Sequence, residues 1–229
     1  MAGTLYGLGI GPGDPELLTL KAVRLIRENK VIALPGKDPK GTVAYQIAVQ
    51  AVPELADKKL VAVDMPMTKD AKLLAESHEK AAELLEAYLK LDENVVFLTL
   101  GDATVYSTYL YVHRLLGQRG YDTQIVSGIT SFCAVAARLD TGLVEKDQQL
   151  HVIPASYQIE EALKLPGTKV LMKAGKKMEE VKRLLKERDL PALMVENCGM
   201  EDEKIYRSAD EIPESAGYYS LIIVKEKEV

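Results

Sequence analysis

The chain has 229 residues, 47% of them hydrophobic, with a formal net charge of -5 and a pI near 5.4, which suits one large α/β domain or two of about half that size. The acidic balance argues against a broad nucleic-acid or anionic-membrane footprint, since those need clustered Lys and Arg, and no apolar run approaches the ~20 residues of a membrane-spanning helix. Cys133 and Cys198 form neither a CxxC pair nor a disulfide framework, so both read as small buried hydrophobes. The N-terminus lacks a basic region ahead of an apolar segment. The expectation is a cytoplasmic protein with no metal, no nucleic-acid partner and no membrane partner.

In chain order, Leu5, Leu8 and Ile10 open a short buried strand that runs into Gly7, Gly9, Gly11 and Gly13 at alternate positions. Asp14 or Thr19 caps the helix that ends near Asn29. A strand over Val31 to Leu34 stops at Pro35-Gly36-Lys37, and Thr42 caps a helix through Ala51. Leu60 to Val63 reads as a third strand. Leu73, Leu74, Ala81, Leu84, Leu85, Tyr88 and Leu89 fall at three-and-four spacing, which predicts an amphipathic helix over Ala71 to Lys90. Asn94 to Leu100 is the apolar run of a buried parallel strand and ends in Gly101-Asp102. A helix over Thr108 to Arg119, a strand over Thr123 to Val126 and a helix over Ser131 to Arg138 follow.

Beyond that point strands predominate, at Leu150 to Ile153, Lys169 to Lys173, Ala192 to Glu196, Ile205 to Arg207 and Tyr218 to Val224, with helices at Ile159 to Leu163 and Met178 to Arg188. The pattern predicts two α/β domains, residues 1–126 with a mainly parallel sheet and 127–229 with a mixed one.

Ligands of open parallel sheets bind at the carboxyl ends of the strands, and there the unusual residues gather: Gly9 to Asp14, Pro35 to Lys37, Gly101 to Thr108 and Ser127 to Ser131. The glycines fit neither the GxGxxG dinucleotide fingerprint nor a P-loop. Asp102 and Thr130 read equally well as caps of the helices that follow them. His78, His113 and His151 are scattered over two helices and a strand, and no GxSxG elbow, HExxH or paired-Asp motif occurs. The strand ends offer binding and positioning rather than a reactive side chain. A nucleotide-binding oxidoreductase and a non-catalytic small-molecule sensor both remain open on these grounds.

Three stretches together carry a resemblance. Tyr6 to Ala22 (YGLGIGPGDPELLTLKA), Leu98 to Asp102 (LTLGD) and Ser127 to Ser131 (SGITS) closely resemble the successive signatures of the tetrapyrrole methylases, and the likeness extends over essentially the whole chain. Thr104 to Tyr109 (TVYSTY) resembles the branch that methylates carbon 20 of precorrin-2 or cobalt-factor II in cobalamin biosynthesis. The resemblance implies S-adenosylmethionine as cofactor, a tetrapyrrole as substrate, an active-site cleft between the two domains and a homodimer. The nearest rivals it leaves are sister methylases acting at another ring carbon and the branch that modifies ribosomal RNA or diphthamide precursors, the RNA option being weakened by the acidic charge.

Carried over by motif, the cofactor contacts implied are Pro12, Leu100, Gly101, Asp102, Val105, Thr130 and Ser131 in the first half, with Ala174, Cys198 and Ser220 in the second. Gly9, Gly11, Gly13, Asp14, Lys37 and Lys176 would border the substrate, and Lys40, Arg114 and Lys173 are further cations that could meet its carboxylates. Asp102 and Tyr106 are the candidates for a catalytic role. Ala103 and Cys198 depart from the family pattern, which more often has Pro after Gly-Asp and a small residue followed by Thr or Ser at the later site.

Overall fold

The computed structural model of the protein describes residues 2–66, 68, 70–154 and 159–226. The chain forms two units, Met1–Thr130 and Ser131–Val229, dividing four residues beyond the 126/127 boundary expected from the sequence. The expected boundary leaves residues 127–130 with the second domain. In the structure they stay with the first, because the strand end that carries them is bonded to its neighbours.

The first unit is built on strands β1 (Leu5–Gly9), β2 (Val31–Pro35), β3 (Lys59–Val63), β4 (Val95–Thr99) and β5 (Thr123–Val126), in spatial order β3-β2-β4-β1-β5 and parallel throughout. Helices α3 (Ala71–Leu89) and α4 (Tyr109–Gln118) cover one face with Ala81, Ala82, Leu85, Leu89, Val112 and Leu116, which pack on Leu5, Ala33, Val95 and Phe97. The alternate strand residues Ile32, Leu34, Val96 and Leu98 point the other way and are buried too. Helices α1 (Leu20–Glu28) and α2 (Val43–Ala51) bring apolar stripes of their own, so the strands read as continuous apolar runs because both faces of the sheet are covered. Both proposed N-terminal caps are used: Asp14 accepts from Glu16 N (2.8 Å) to cap a 3-10 turn at Pro15–Leu17, and Thr19 accepts from Ala22 N (3.2 Å) to cap α1.

The second unit holds α5 (Ser131–Arg138), β6 (Leu150–Pro154), α6 (Ile159–Ala162), β7 (Thr168–Met172), α7 (Met178–Glu187), β8 (Ala192–Glu196), β9 (Lys204–Tyr206) and β10 (Ser220–Val224). Its sheet, in order β6-β7-β10-β8-β9, is mixed as expected: β6 and β7 are parallel, while β10 runs antiparallel to β7 and β8. Two apolar cores flank it, one with α6 and α7 (Ile159, Val181, Leu184, Leu185) and one with α5 (Val135, Ala136, Leu139). Strand β10 begins two residues later than expected. Cys133 is exposed on α5 and Cys198 is only partly buried, contrary to the reading of both as buried hydrophobes: Ala134, Val135 and Ala136 supply the inward face of α5, which turns its neighbour outward.

Among the described residues no helix is long and apolar enough to cross a membrane.

Gly7, in the middle of β1, shows how closely the first unit is packed. A Cβ there would overlap the ring of Tyr109, which is fully buried against Phe97 and donates its hydroxyl hydrogen to Gln124 O (2.8 Å) on β5. Burial also pushes the Tyr109 phenol well above its usual pKa, so it stays a donor. Gly7→Ala is expected to cost about 1–3 kcal/mol by overpacking, read as a lower urea midpoint. Adding Tyr109→Leu, which vacates the space, should recover part of that loss.

Candidate active site

Because every strand of the first sheet is parallel, the chain leaves β1, β2, β4 and β5 at one edge. Three of these exits are held together by their backbones. Gly11 and Gly101 exchange a pair of bonds, Gly101 N to Gly11 O at 2.8 Å and Gly11 N to Gly101 O at 3.2 Å, and Ile10 N donates to Thr99 O at 3.0 Å. A Cβ on Gly9 would stand 2.6 Å from Gly101 O and 2.7 Å from Gly128 N, while one on Gly128 would meet Gly101 O and Gly9. Only glycine permits such a junction.

Asp102 closes the junction. It is buried, and its Oδ2 accepts Gly128 N at 2.8 Å while its Oδ1 accepts Thr104 N at 2.7 Å and the Thr104 hydroxyl. One carboxylate therefore ties the exit of β4 to that of β5 and folds its own loop. Neither Asp102 nor Thr130 acts as the cap that the sequence also allowed. The α4 turn is instead served by Ser107, whose Oγ lies 3.1 Å from Thr99 Oγ1 and accepts Tyr109 N at 3.2 Å.

Thr130 Oγ1 is buried with no hydrogen-bond partner. A buried hydroxyl without a partner is unfavourable unless a ligand supplies one.

Around this centre Pro12, Gly13 and Leu100 are buried or partly buried, Val105 is partly exposed and Tyr106 is half exposed. Tyr106 holds a left-handed backbone (φ 50), uncommon for a bulky side chain. The alternating glycines thus have causes internal to the protein: Gly7 is matched to Tyr109, Gly9 to Gly101 and Gly128, and Gly11, at φ 79, to its bridge with Gly101. The substrate-bordering role expected of Gly9 and Gly11 has to be shared with this packing.

Lys37 extends into solvent beside Asp64 (3.7 Å) at the exits of β2 and β3. Arg114 donates to Leu110 O and lies over Tyr111 on α4. The side chain of Lys176 lies outside the described residues.

In the second unit, β10 runs against β7 and β8, so its start meets their ends. Ser220 pairs with Glu196 and Leu221 with Met172. This brings Ala174, Cys198 and Ser220 to one edge of the sheet. Ala174 is buried and leads a 3-10 turn at Gly175–Lys177. Lys173 takes a left-handed backbone (φ 60) with its ammonium 5.5 Å from the Tyr218 ring.

Ser220 is buried, and its hydroxyl, like that of Thr130, has no partner. Among the described residues three buried side-chain polar atoms are left in this state, and the third, His151 Nε2, lies near the opposite edge of the second sheet. Sequence reasoning did not single out Glu196, although a carboxylate closing an apolar strand was the signal available.

The family model of the tetrapyrrole (corrin/porphyrin) methylases matches residues 4–212. The chain belongs to this family. Among its relatives, the probable cobalt-precorrin-2 C(20)-methyltransferase of Methanocaldococcus jannaschii is 38% identical over 226 residues, a match covering 96% of this chain and 95% of that one. The cobalt-precorrin-2 C(20)-methyltransferase of Salmonella typhimurium is 30% identical, with coverage of 99% and 98%. The uroporphyrin-III C-methyltransferase of Thermus thermophilus, solved in complex with S-adenosylhomocysteine, shares the fold with a TM-score of 0.72 at 23% identity and covers 98% of each chain. The chain is accordingly a tetrapyrrole methylase with the two-part α/β fold of these enzymes, and the oxidoreductase reading falls.

If Asp102 holds two loops at once, Asp102→Asn should leave either the Gly128 or the Thr104 N–H without an acceptor, because an amide nitrogen cannot accept. Amide hydrogen exchange at that site should quicken locally, and the unfolding free energy should fall by about 1–3 kcal/mol.

Proposed function

We propose that the protein transfers a methyl group from S-adenosylmethionine to carbon 20 of precorrin-2 or its cobalt-bearing form during corrin ring assembly. The observation that carries this reading is the match, over nearly the full length of both chains, to a relative named for that position.

The residues present fit such a cofactor. Two buried hydroxyls without partners, Thr130 and Ser220, stand at strand edges beside small residues and turns that leave backbone groups for an adenosyl moiety. The residues this reading assigns to the cofactor are Pro12, Leu100, Gly101, Val105, Thr130, Ser131, Ala174, Cys198 and Ser220.

Bound S-adenosylmethionine supplies a methyl group on a sulfonium whose departure leaves a neutral thioether. The protein then has chiefly to align carbon 20 with that methyl and exclude water, and alignment of this kind contributes up to roughly 7–11 kcal/mol. The glycine junction and the Asp102 bonds serve it by fixing the loops before the ligand arrives. Carbon 20 must also lose a proton. The Asp102 oxygens already accept from Gly128, Thr104 N and the Thr104 hydroxyl, so Asp102 acts here by holding loops, and the proton passes to solvent water after methyl transfer, with the half-exposed Tyr106 hydroxyl as a hydrogen-bonding relay.

In this reading Lys37 and Lys176 pair with substrate carboxylates, and the working form is a cytoplasmic homodimer, which should show twice the chain mass in light scattering on the purified protein. With methyl-labelled S-adenosylmethionine and either metal-free or cobalt-bearing precorrin-2, one labelled methyl should appear at carbon 20 by mass spectrometry and NMR. Transfer to another ring carbon, or no transfer to either substrate, would overturn the assignment. Thr130→Val, which keeps the shape and removes the hydroxyl, should weaken S-adenosylhomocysteine binding about tenfold in calorimetry.

A further inference from the structure

Asp102 has a counterpart in the second unit. Glu196, the last residue of β8, is buried, and its Oε1 accepts Gly217 N at 2.5 Å. In both units a buried carboxylate at the end of one strand grips the N–H of a glycine belonging to a neighbouring segment. In both, a hydroxyl with no partner follows closely: Thr130 stands two residues after Gly128, and Ser220 three after Gly217.

The second grip is as tight as the first. A Cβ on Gly217 would lie 2.9 Å from Glu196 Oε1, and one on Gly175 would lie 2.8 Å from Ala216 O and 3.0 Å from Gly217 O. The turn before β10 is thereby pressed between Glu196 and the segment after β7. Asn197 adds a bond from its N–H to Tyr219 O at 3.0 Å. Ser220 and Glu196 are register partners, so their side chains share one face of the sheet.

We infer that Glu196 is a positioning residue of the ligand site: by holding Gly217 N–H it fixes the turn that presents the Ser220 hydroxyl to a polar group of S-adenosylmethionine. The inference rests on the function proposed above. Its chemistry needs only an acceptor at the right reach. Gln keeps one, whereas Asp keeps the charge but falls one methylene short, and the two variants therefore separate reach from charge.

Calorimetry with S-adenosylhomocysteine on the full chain tests it. Glu196→Asp should weaken binding about tenfold and raise KM for S-adenosylmethionine with kcat at saturation nearly unchanged. Glu196→Gln should stay within about twofold of the wild type. Ser220→Ala should weaken binding by itself and add little in the Glu196→Asp background, since both act through one contact. Wild-type affinity in Glu196→Asp, or a fully additive double variant, would overturn the inference alone. A wild-type chain that fails to bind S-adenosylhomocysteine would overturn the proposed function and this inference together. If Glu196→Asp does not yield folded protein, Ser220→Ala, which breaks no hydrogen bond, decides the matter: unchanged binding there overturns the inference.

Discussion

Three backbones converge at Gly9, Gly101 and Gly128 with no space for a side chain on Gly9 or Gly128, and the first unit's functional edge depends on that convergence. Peptide groups brought so close must find partners for their N–H and C=O groups. The Gly11–Gly101 bridge and the Asp102 carboxylate provide them. The loops that leave β1, β4 and β5 therefore behave as one rigid rim rather than three independent turns, and a rim of that kind suits an enzyme that works by alignment.

This arrangement changes what the glycine-rich signature means. Read as a string, alternating glycines suggest room for a ligand. In the folded chain the room is taken by the protein: a tyrosine ring behind Gly7, and other glycines against Gly9. The signature describes a way of bringing strand ends together, and under the proposed function the ligand meets the rim that results. Family membership and local packing are thus two descriptions of the same residues, which is why departures such as Ala103, fully buried in the first core, leave the rim intact.

Most of the fold was legible in the sequence because its signals are local. Continuous apolar runs marked β2 and β4, three-and-four spacing marked α3, and Thr19 and Thr42 marked the helix starts that they cap. What escaped was nonlocal. Nothing in the string ties Asp102 to Gly128 or Glu196 to Gly217, since each pair is joined only when strands take their order in a sheet. The same limit explains why Asp102 and Thr130 looked like helix caps: local pattern sees the helix that follows, whereas the partner actually bonded, or missing, is set by a neighbouring strand. Cys133 was misjudged for a related reason, because the inward face of a short small-residue helix is decided by what packs on it.

Tyr109 touches three elements at once: it starts α4, lies against Gly7 of β1 and bonds to the carbonyl of Gln124 on β5. Positions 7 and 109 are therefore coupled: what fits at one depends on what stands at the other. A side chain at the first is accommodated more cheaply once the large ring at the second is gone, and the reverse order passes through a clash. The cost of changing this corner of the enzyme thus depends on the order of the steps, however freely its surface varies.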